Sequence, residues 1–427
     1  MYENGKKARP SDRAFSYLLS YRVFSETYQK SKLSENALFF GLIDGIRMII
    51  DSLFISDSLS ELHHSHLIKA VNKNYYDGFN KPLFLNYKNI IDACLISIDS
   101  FPEDCITKSG IIKARKQFLN AVKYSVHQLK TDIILLAAST KRLFGKNADE
   151  RVNTEGILIS NGFTLSEYFP DILFTNGDNG TALILEMEIE AALKKIKMIN
   201  EPDVLHLADV GHLSKDKIIV INGLGLLGMS ALEYLIDNNI NDEQIIVISN
   251  YTKDLKALIN GRDIKLYQNL KLIEKEIANN IELIINCTHN STNLIDYEAI
   301  NHIQNGQQIN VIDVAVPYGF PEEEFLKCKN INRQDGGNAY IENGLEFFFN
   351  PEICGLTENV LYGCFAETVV LAAYLKANPN EILNLKEFDF FNVNHKTKKL
   401  IKTLFEKYKI GISPVPYNFN KRMMEEK

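Results

Sequence analysis

Between residues 213 and 335, short β-branched runs alternate with longer amphipathic stretches. The runs fall at 217–222, 244–250, 263–267, 281–287 and 309–316. Such alternation predicts a parallel, doubly wound α/β sheet of Rossmann type, with ligands just past the carboxyl ends of the strands. Upstream, 132–140 reads as a buried strand ending in small residues, 156–160 as a short strand, and 87–100 as strand or helix. Helical spacing covers 109–130, where Ile112, Phe118, Leu119, Val122 and Val126 supply an apolar face, and recurs over 182–200 and 357–377. Asn179 or Thr181 is the expected N-cap of 182–200, and Thr357 that of 357–377. The chain thus divides into a poorly informative N-terminal region (1–95), a substrate or catalytic α/β domain (96–212), a Rossmann domain (213–335) and a C-terminal helical region (336–427).

Composition narrows the class without changing this picture. The 427 residues are 45% hydrophobic and 24% charged, an ordinary soluble composition with room for two or three domains. The net charge of −7 argues against nonspecific nucleic-acid binding. Six cysteines without CxxC spacing, and a start lacking an apolar h-region, predict a reducing, cytoplasmic setting. No apolar run approaches the ~20 residues of a membrane span. The nearest, 37–55, carries Asp44, Arg47 and Asp51 on one stripe. It reads as a largely buried helix, or as a peripheral contact with a membrane surface or acyl chain. Residues 105–131 contain no acid but hold Lys108, Lys113, Arg115, Lys116, Lys123 and Lys130. That stretch is either a solvated helix face or a docking surface for an acidic partner.

The stretch with the clearest chemistry follows the 217–222 run, where Gly223-Leu-Gly225-Leu226-Leu227-Gly228 opens a helix. Gly223 suits a tight turn, Gly225 lets backbone approach a pyrophosphate, and Gly228 lets the helix lie close to its strand. The amides at that helix start favour a bound phosphate. After the next run come Ser249, Asn250, Thr252 and Lys253, with the first acid delayed to Asp254. A neutral site with a lysine nearby tolerates a ribose 2′-phosphate better than an acid would, which favours NADP(H) over NAD(H). Thr288 follows the 281–287 run and is expected to line the ribose and nicotinamide side. His289 beside it reads as solvated. The loop 175–181 can hold an oxyanion or the nicotinamide amide, or be an ordinary capped loop.

Cys364 lies within the last helical stretch, one turn before Glu367 and Thr368. On composition alone it is an ordinary buried cysteine. The sequence around it nevertheless resembles the long-chain fatty acyl-acyl-carrier-protein reductases, the aldehyde-forming enzymes of cyanobacterial type. The likeness runs in order through Ser100-Phe-Pro-Glu and the basic helix from Lys108, then Thr175-Asn-Gly-Asp-Asn-Gly-Thr-Ala182. It continues through the Gly223 junction, Gly336-Gly337, Cys364-Phe-Ala-Glu367 and Lys409-Ile-Gly-Ile-Ser-Pro414. It covers roughly residues 95 to 415. The glycine loop departs from the family's pattern, and Asn250 stands where the family has arginine.

The resemblance implies that Cys364 attacks an acyl thioester carried by acyl-carrier protein or coenzyme A. An S-acyl enzyme forms, and hydride from NADPH releases an aldehyde, with an aldehyde-consuming enzyme as a partner. Glu367 would oppose thiolate formation if it faced the sulfur, so it reads as structural. The alternatives are a glutamyl-tRNA-reductase-like or shikimate-dehydrogenase-like oxidoreductase, or a non-catalytic NADP(H)-binding protein. No metal site is expected.

Overall fold

The computed structural model describes residues 17–23, 83–87, 91–98, 100, 107–129, 131–137, 140–141, 143–200, 214, 216–249, 261–288, 293–304, 306–315, 318–342, 345–347, 359–419 and 421–422. The 37–55 stretch, the Thr357 cap and His289 lie outside them. The strands used below are β1 (Tyr17–Val23), β2 (Leu83–Tyr87), β3 (Ile91–Ser97), β4 (Thr131–Ala137), β5 (Leu173–Thr175), β6 (Ile218–Asn222) and β7 (Ile245–Ile248). They continue with β8 (Lys265–Tyr267), β9 (Ile281–Asn286), β10 (Ile309–Asp313), β11 (Ile331–Asp335), β12 (Asn338–Ile341), β13 (Leu345–Phe347) and β14 (Val360–Tyr362). The longer helices are α1 (Lys108–Gln128), α2 (Asp178–Asn200), α3 (Leu226–Asp237), α4 (Tyr297–Ile303), α5 (Gly363–Ala377) and α6 (His395–Tyr408). No helix among the described residues is long and apolar enough to cross a membrane.

The chain folds into two compact units, each assembled from separated segments. One contains 1–180 and 341–410, the other 181–340 and 411–427. The four successive regions expected from the sequence are therefore redistributed. Residues 336–427 are shared between both units, and the boundary near 212 falls instead at 180, within the first turn of α2.

The first unit is built on a six-stranded mixed sheet of order β13-β2-β3-β1-β4-β5. Its pairs are antiparallel except β4 with β5. The N-terminal region thus supplies β1 and β2 to this sheet. Below β4, α1 buries Phe118, Leu119 and Val122 against Ile134, Leu136 and Phe144. Ile112 and Val126, expected on the same face, are half-buried. The 156–160 run is not a strand. It makes only a single bridge, Val152 to Leu158, and leaves Ile157, Leu158 and Ile159 at 40–50% exposure.

The second unit contains the doubly wound α/β sheet. Its six strands run β11-β10-β9-β6-β7-β8, all parallel. Taken in chain order this is the 3-2-1-4-5-6 arrangement of dinucleotide-binding folds, with the reversal of order between β6 and β9. Strands β6 and β7 are buried at every position, because their Ile and Val side chains pack on both faces. The observed strands end near the predicted limits. β11 is an addition that the sequence pattern did not predict.

Candidate active site

In the second unit, two glycines of the 223–228 loop have a steric reason. Gly223 has φ +97°, and a Cβ there would meet Thr288 Cβ at 2.7 Å. A Cβ on Gly228 would fall 1.9 Å from the Gly223 carbonyl oxygen, so only glycine lets α3 start this close to β6. Gly225 differs. It is exposed, has φ −74°, caps α3 without a side-chain hydrogen bond, and faces open space, with nothing within 4 Å of its Cβ position. The opening amides of α3, including those of Leu226 and Leu227, have no partner inside the helix. That arrangement can receive a pyrophosphate. Thr288 is buried directly beneath Gly223, which makes it a wall of the turn. Asn250, Thr252 and Lys253, the expected ribose-side residues, lie outside the described residues.

A polar ladder crosses the carboxyl ends of four neighbouring strands in this unit. The last residues of β6, β9, β10 and β11 are Asn222, Asn286, Asp313 and Asp335, and they lie in register. Asn222 Nδ2 donates to Asn286 Oδ1 at 2.8 Å, and Asn286 Nδ2 donates to Asp313 Oδ1 at 2.8 Å. Arg333, fully buried, donates to Asp313 (3.0 Å), Asp335 (2.7 Å) and Asn418 (2.7 Å). Its guanidinium lies 3.9 Å from the Phe419 ring centroid and 4.6 Å from that of Tyr318. The tail residues 418–419 are therefore held by this network. Lys421–Arg422 pairs with Tyr417–Asn418. The Gly336-Gly337 turn follows β11. Gly337 (φ +76°) donates its N–H to the Glu188 carboxyl at 2.8 Å, and burial pushes Glu188 up to about 8.

In the first unit, two sequence segments nearly 190 residues apart interlock around Cys364. α5 starts at Gly363, because Val360–Tyr362 forms a strand rather than the first turn of a longer helix. Cys364 is therefore in the first turn of α5, not in its middle. Likewise α2 begins at Asp178, four residues before the predicted start. Asn176 Oδ1 accepts the Asp178 N–H at 3.0 Å, in place of the expected caps Asn179 or Thr181.

The two first turns meet. A Cβ on Gly177 (φ +73°) would lie 2.3 Å from Cys364 Cβ, and one on Gly180 would lie 2.5 Å from the Gly363 carbonyl oxygen. Glu367, fully buried, accepts from Thr175 Oγ1 at 2.5 Å and from the Gly180 N–H at 2.6 Å. It is the tie between α5 and the start of α2, in line with its structural reading. Asn176 donates to the Phe391 carbonyl (2.8 Å). Asn179 donates to the Asn392 carbonyl (3.2 Å) and accepts the Asn394 N–H (3.1 Å). The 175–180 segment is thus a many-sided joint rather than an ordinary loop.

Asp178 closes the cluster through an ion pair with Lys141, a residue that follows β4 and carried no signal in the sequence. Burial raises the Cys364 thiol to about 11. Lys141 opposes that rise, while Asp178 and Glu367 reinforce it. Burial works against the Lys141 charge, yet Asp178, Cys364 and Glu367 hold it above its ordinary value. Glu367 itself is pushed up to about 7, mainly by burial, so it is partly protonated near neutrality. Burial also raises Cys287 and Cys328, and at Cys328 Lys327 opposes the rise while Glu324 reinforces it.

The basic stretch in α1 is largely spent internally. Arg115 is buried in an ion pair with Glu150, Lys116 pairs with Glu155, and Lys123 lies over the Tyr168 ring. Among the described residues no cluster of His, Cys, Asp and Glu is arranged to hold a metal ion.

No protein-family model matches the chain, and no curated protein matches it in sequence. Among solved structures it is similar to a dipicolinate synthase subunit from Bacillus halodurans, at 14% identity and a TM-score of 0.25, over 40% of this chain and 53% of that one. It is also similar to D-mandelate dehydrogenase of Rhodotorula graminis (13% identity, TM-score 0.26, 39% and 53% covered). A third is a glyoxylate reductase from Paecilomyes thermophila (13% identity, TM-score 0.27, 63% and 85% covered). The chain spans about half the length of the first two. The Rossmann-like assignment rests on the strand order and glycine loop described above.

Proposed function

We propose that the protein is a nicotinamide-dinucleotide-dependent reductase that converts an acyl thioester to an aldehyde through Cys364. The observation that carries this reading is the interlock of 175–180 with Cys364–Glu367. Those two segments also carried the resemblance to acyl-acyl-carrier-protein reductases, and the fold joins them around one thiol. The open, uncapped Gly225 turn supplies a separate place for a dinucleotide pyrophosphate.

In this reading Cys364 gives up its proton and its sulfur bonds to the thioester carbonyl carbon. The carbon–sulfur bond to the carrier breaks, and the carrier thiol leaves with a proton. A nicotinamide dinucleotide, which Gly223, Gly225 and Gly228 would hold, would supply the two electrons as hydride that reduce the acyl group. The Cys364 carbon–sulfur bond then breaks, the electron pair returns to sulfur, and aldehyde is released. Glu367 and Gly177 fix the sulfur's position through packing. The carrier is acyl-carrier protein or coenzyme A, and the aldehyde passes to a consuming enzyme. NADPH is the proposed cofactor, since Asn250, Thr252 and Lys253 offer no acid to repel a 2′-phosphate. Dissociation constants for NADPH and NADH test this, and clear NADH preference would overturn it.

The raised thiol favours a second reading, in which Cys364 is a packing residue of a dinucleotide-binding protein without catalytic activity. One experiment separates the two. The proposal expects NADPH oxidation and aldehyde formation with a long-chain acyl thioester, abolished in Cys364→Ala with NADPH affinity kept. No turnover across a panel of acyl thioesters, with the dinucleotide still bound, supports the second reading, and unchanged turnover in Cys364→Ala would overturn the role of Cys364.

A further inference from the structure

The geometry points to Lys141 as the residue that ionises Cys364, with Asp178 as the arm that both places that lysine and restrains its effect. The inference rests on reading Cys364 as a nucleophile and adds the group that makes it one. Asp178 directly follows Gly177, whose backbone is in tight contact with Cys364. The Lys141–Asp178 ion pair thus belongs to the cluster around Cys364, and both of its charges act on the thiol. The Lys141 side chain is 28% exposed and that of Asp178 11%. In such a setting each charge acts on the thiol more strongly than it would in water.

Among the described residues, the charged groups that act on Cys364 are Lys141 from the segment after β4, Asp178 from α2 and Glu367 from its own helix. Glu367 is already engaged with Thr175 and Gly180, so it is not free to pair with the lysine's ammonium. That leaves one adjustable couple. With Asp178 charged and paired, the lysine is shared and the thiol stays protonated at rest. Neutralising Asp178 releases the full ammonium to the sulfur. Any event that draws Asp178 away does the same, such as an arriving substrate group that donates a hydrogen bond to it.

The two halves of the ion pair therefore have opposite expected effects on Cys364, whereas a purely structural pair would give the same effect from either side. The test uses the full-length protein. The rate of Cys364 alkylation by iodoacetamide is measured against pH, by peptide mass mapping that separates Cys364 from the other cysteines. Lys141→Met is expected to shift the profile up by about one pH unit and slow alkylation at pH 8 about tenfold. Asp178→Asn is expected to shift it down by about the same amount and speed alkylation. Lys141→Arg keeps the charge and is expected to retain a profile near that of the unaltered protein. If Lys141→Met does not fold, the direction given by Asp178→Asn decides alone. Shifts in the same direction from Lys141→Met and Asp178→Asn, or no shift from Asp178→Asn, would overturn the inference. The assay needs no acyl thioester, so failure of the proposed reaction and failure of this assignment remain distinguishable.

Discussion

Replacing Gly177 by alanine separates the packing of the thiol site from cofactor binding, because Gly225→Ala is its natural counterpart. At Gly177 two costs combine. The residue has φ +73°, where an L side chain loses about 1–2 kcal/mol. Its new Cβ would also lie 2.3 Å from Cys364 Cβ, 2.5 Å from Cys364 Cα and 2.8 Å from the Cys364 carbonyl oxygen. Relief requires the first turns of α5 and α2 to separate by roughly an ångström, which in a close-packed region costs about 1–3 kcal/mol. Together these are a large part of the ~5–15 kcal/mol by which a typical domain is stable. Gly225 has φ −74° and nothing within 4 Å, so alanine there should change stability by less than about 1 kcal/mol. Its methyl, however, would occupy the space through which a pyrophosphate approaches the α3 amides. Urea denaturation and dinucleotide titration of both variants give the readout. Gly177→Ala should lose stability and alkylate faster at Cys364, as the joint loosens. Gly225→Ala should keep its midpoint and bind dinucleotide at least tenfold more weakly. Equal stability for Gly177→Ala, or unchanged dinucleotide affinity for Gly225→Ala, would refute the steric reading of these turns.

Three further outcomes follow from buried polar groups. Glu188 is held near 8 against 4.5 when free, so its contribution to stability is complete below about 4.5 and is lost as pH rises through 8. At 1.36 kcal/mol per unit the upper bound is about 5 kcal/mol. Glu188→Gln should therefore flatten the decline in urea midpoint between pH 5 and 9, and an unaltered pH profile would count against it. Arg333→Met leaves Asp313 and Asp335 buried without a cation and should cost about 3–5 kcal/mol by denaturant titration. A neutral result there would mean that the tail contacts at Asn418 and Phe419 are incidental. Thr175→Val removes the hydroxyl that donates to Glu367 and accepts from Gly177, and should cost about 1–3 kcal/mol with dinucleotide affinity intact.

The parts of the fold that were legible are those whose physics is local. The Ile and Val runs of β6, β7, β9 and β10 announce buried parallel strands, and Gly223 and Gly228 mark a turn that only glycine can make. β11 was not legible, because its sequence Ile-Asn-Arg-Gln-Asp is mostly polar and its buried Arg333 depends on partners from other strands and the tail. The start of α2 was misplaced because Gly177 and Gly180 read as helix breakers. They are in fact the contact points for α5. Residues 360–362 are as apolar as a helix face but pair as a strand, so α5 starts later than its pattern predicts and Cys364 falls in its first turn. The apolar run 156–160 misled in the opposite sense, since its side chains face solvent. Lys141 was the main omission at the site. Its only trace was its position just beyond a buried strand, the place where α/β ligand groups collect.

The most direct test of the central claim is the intact mass of the protein after incubation with a long-chain acyl thioester in the absence of NADPH, followed by peptide mapping. The account predicts one acyl adduct, confined to Cys364 and discharged as aldehyde when NADPH is added. An adduct at another cysteine, or none with any acyl thioester, would contradict it.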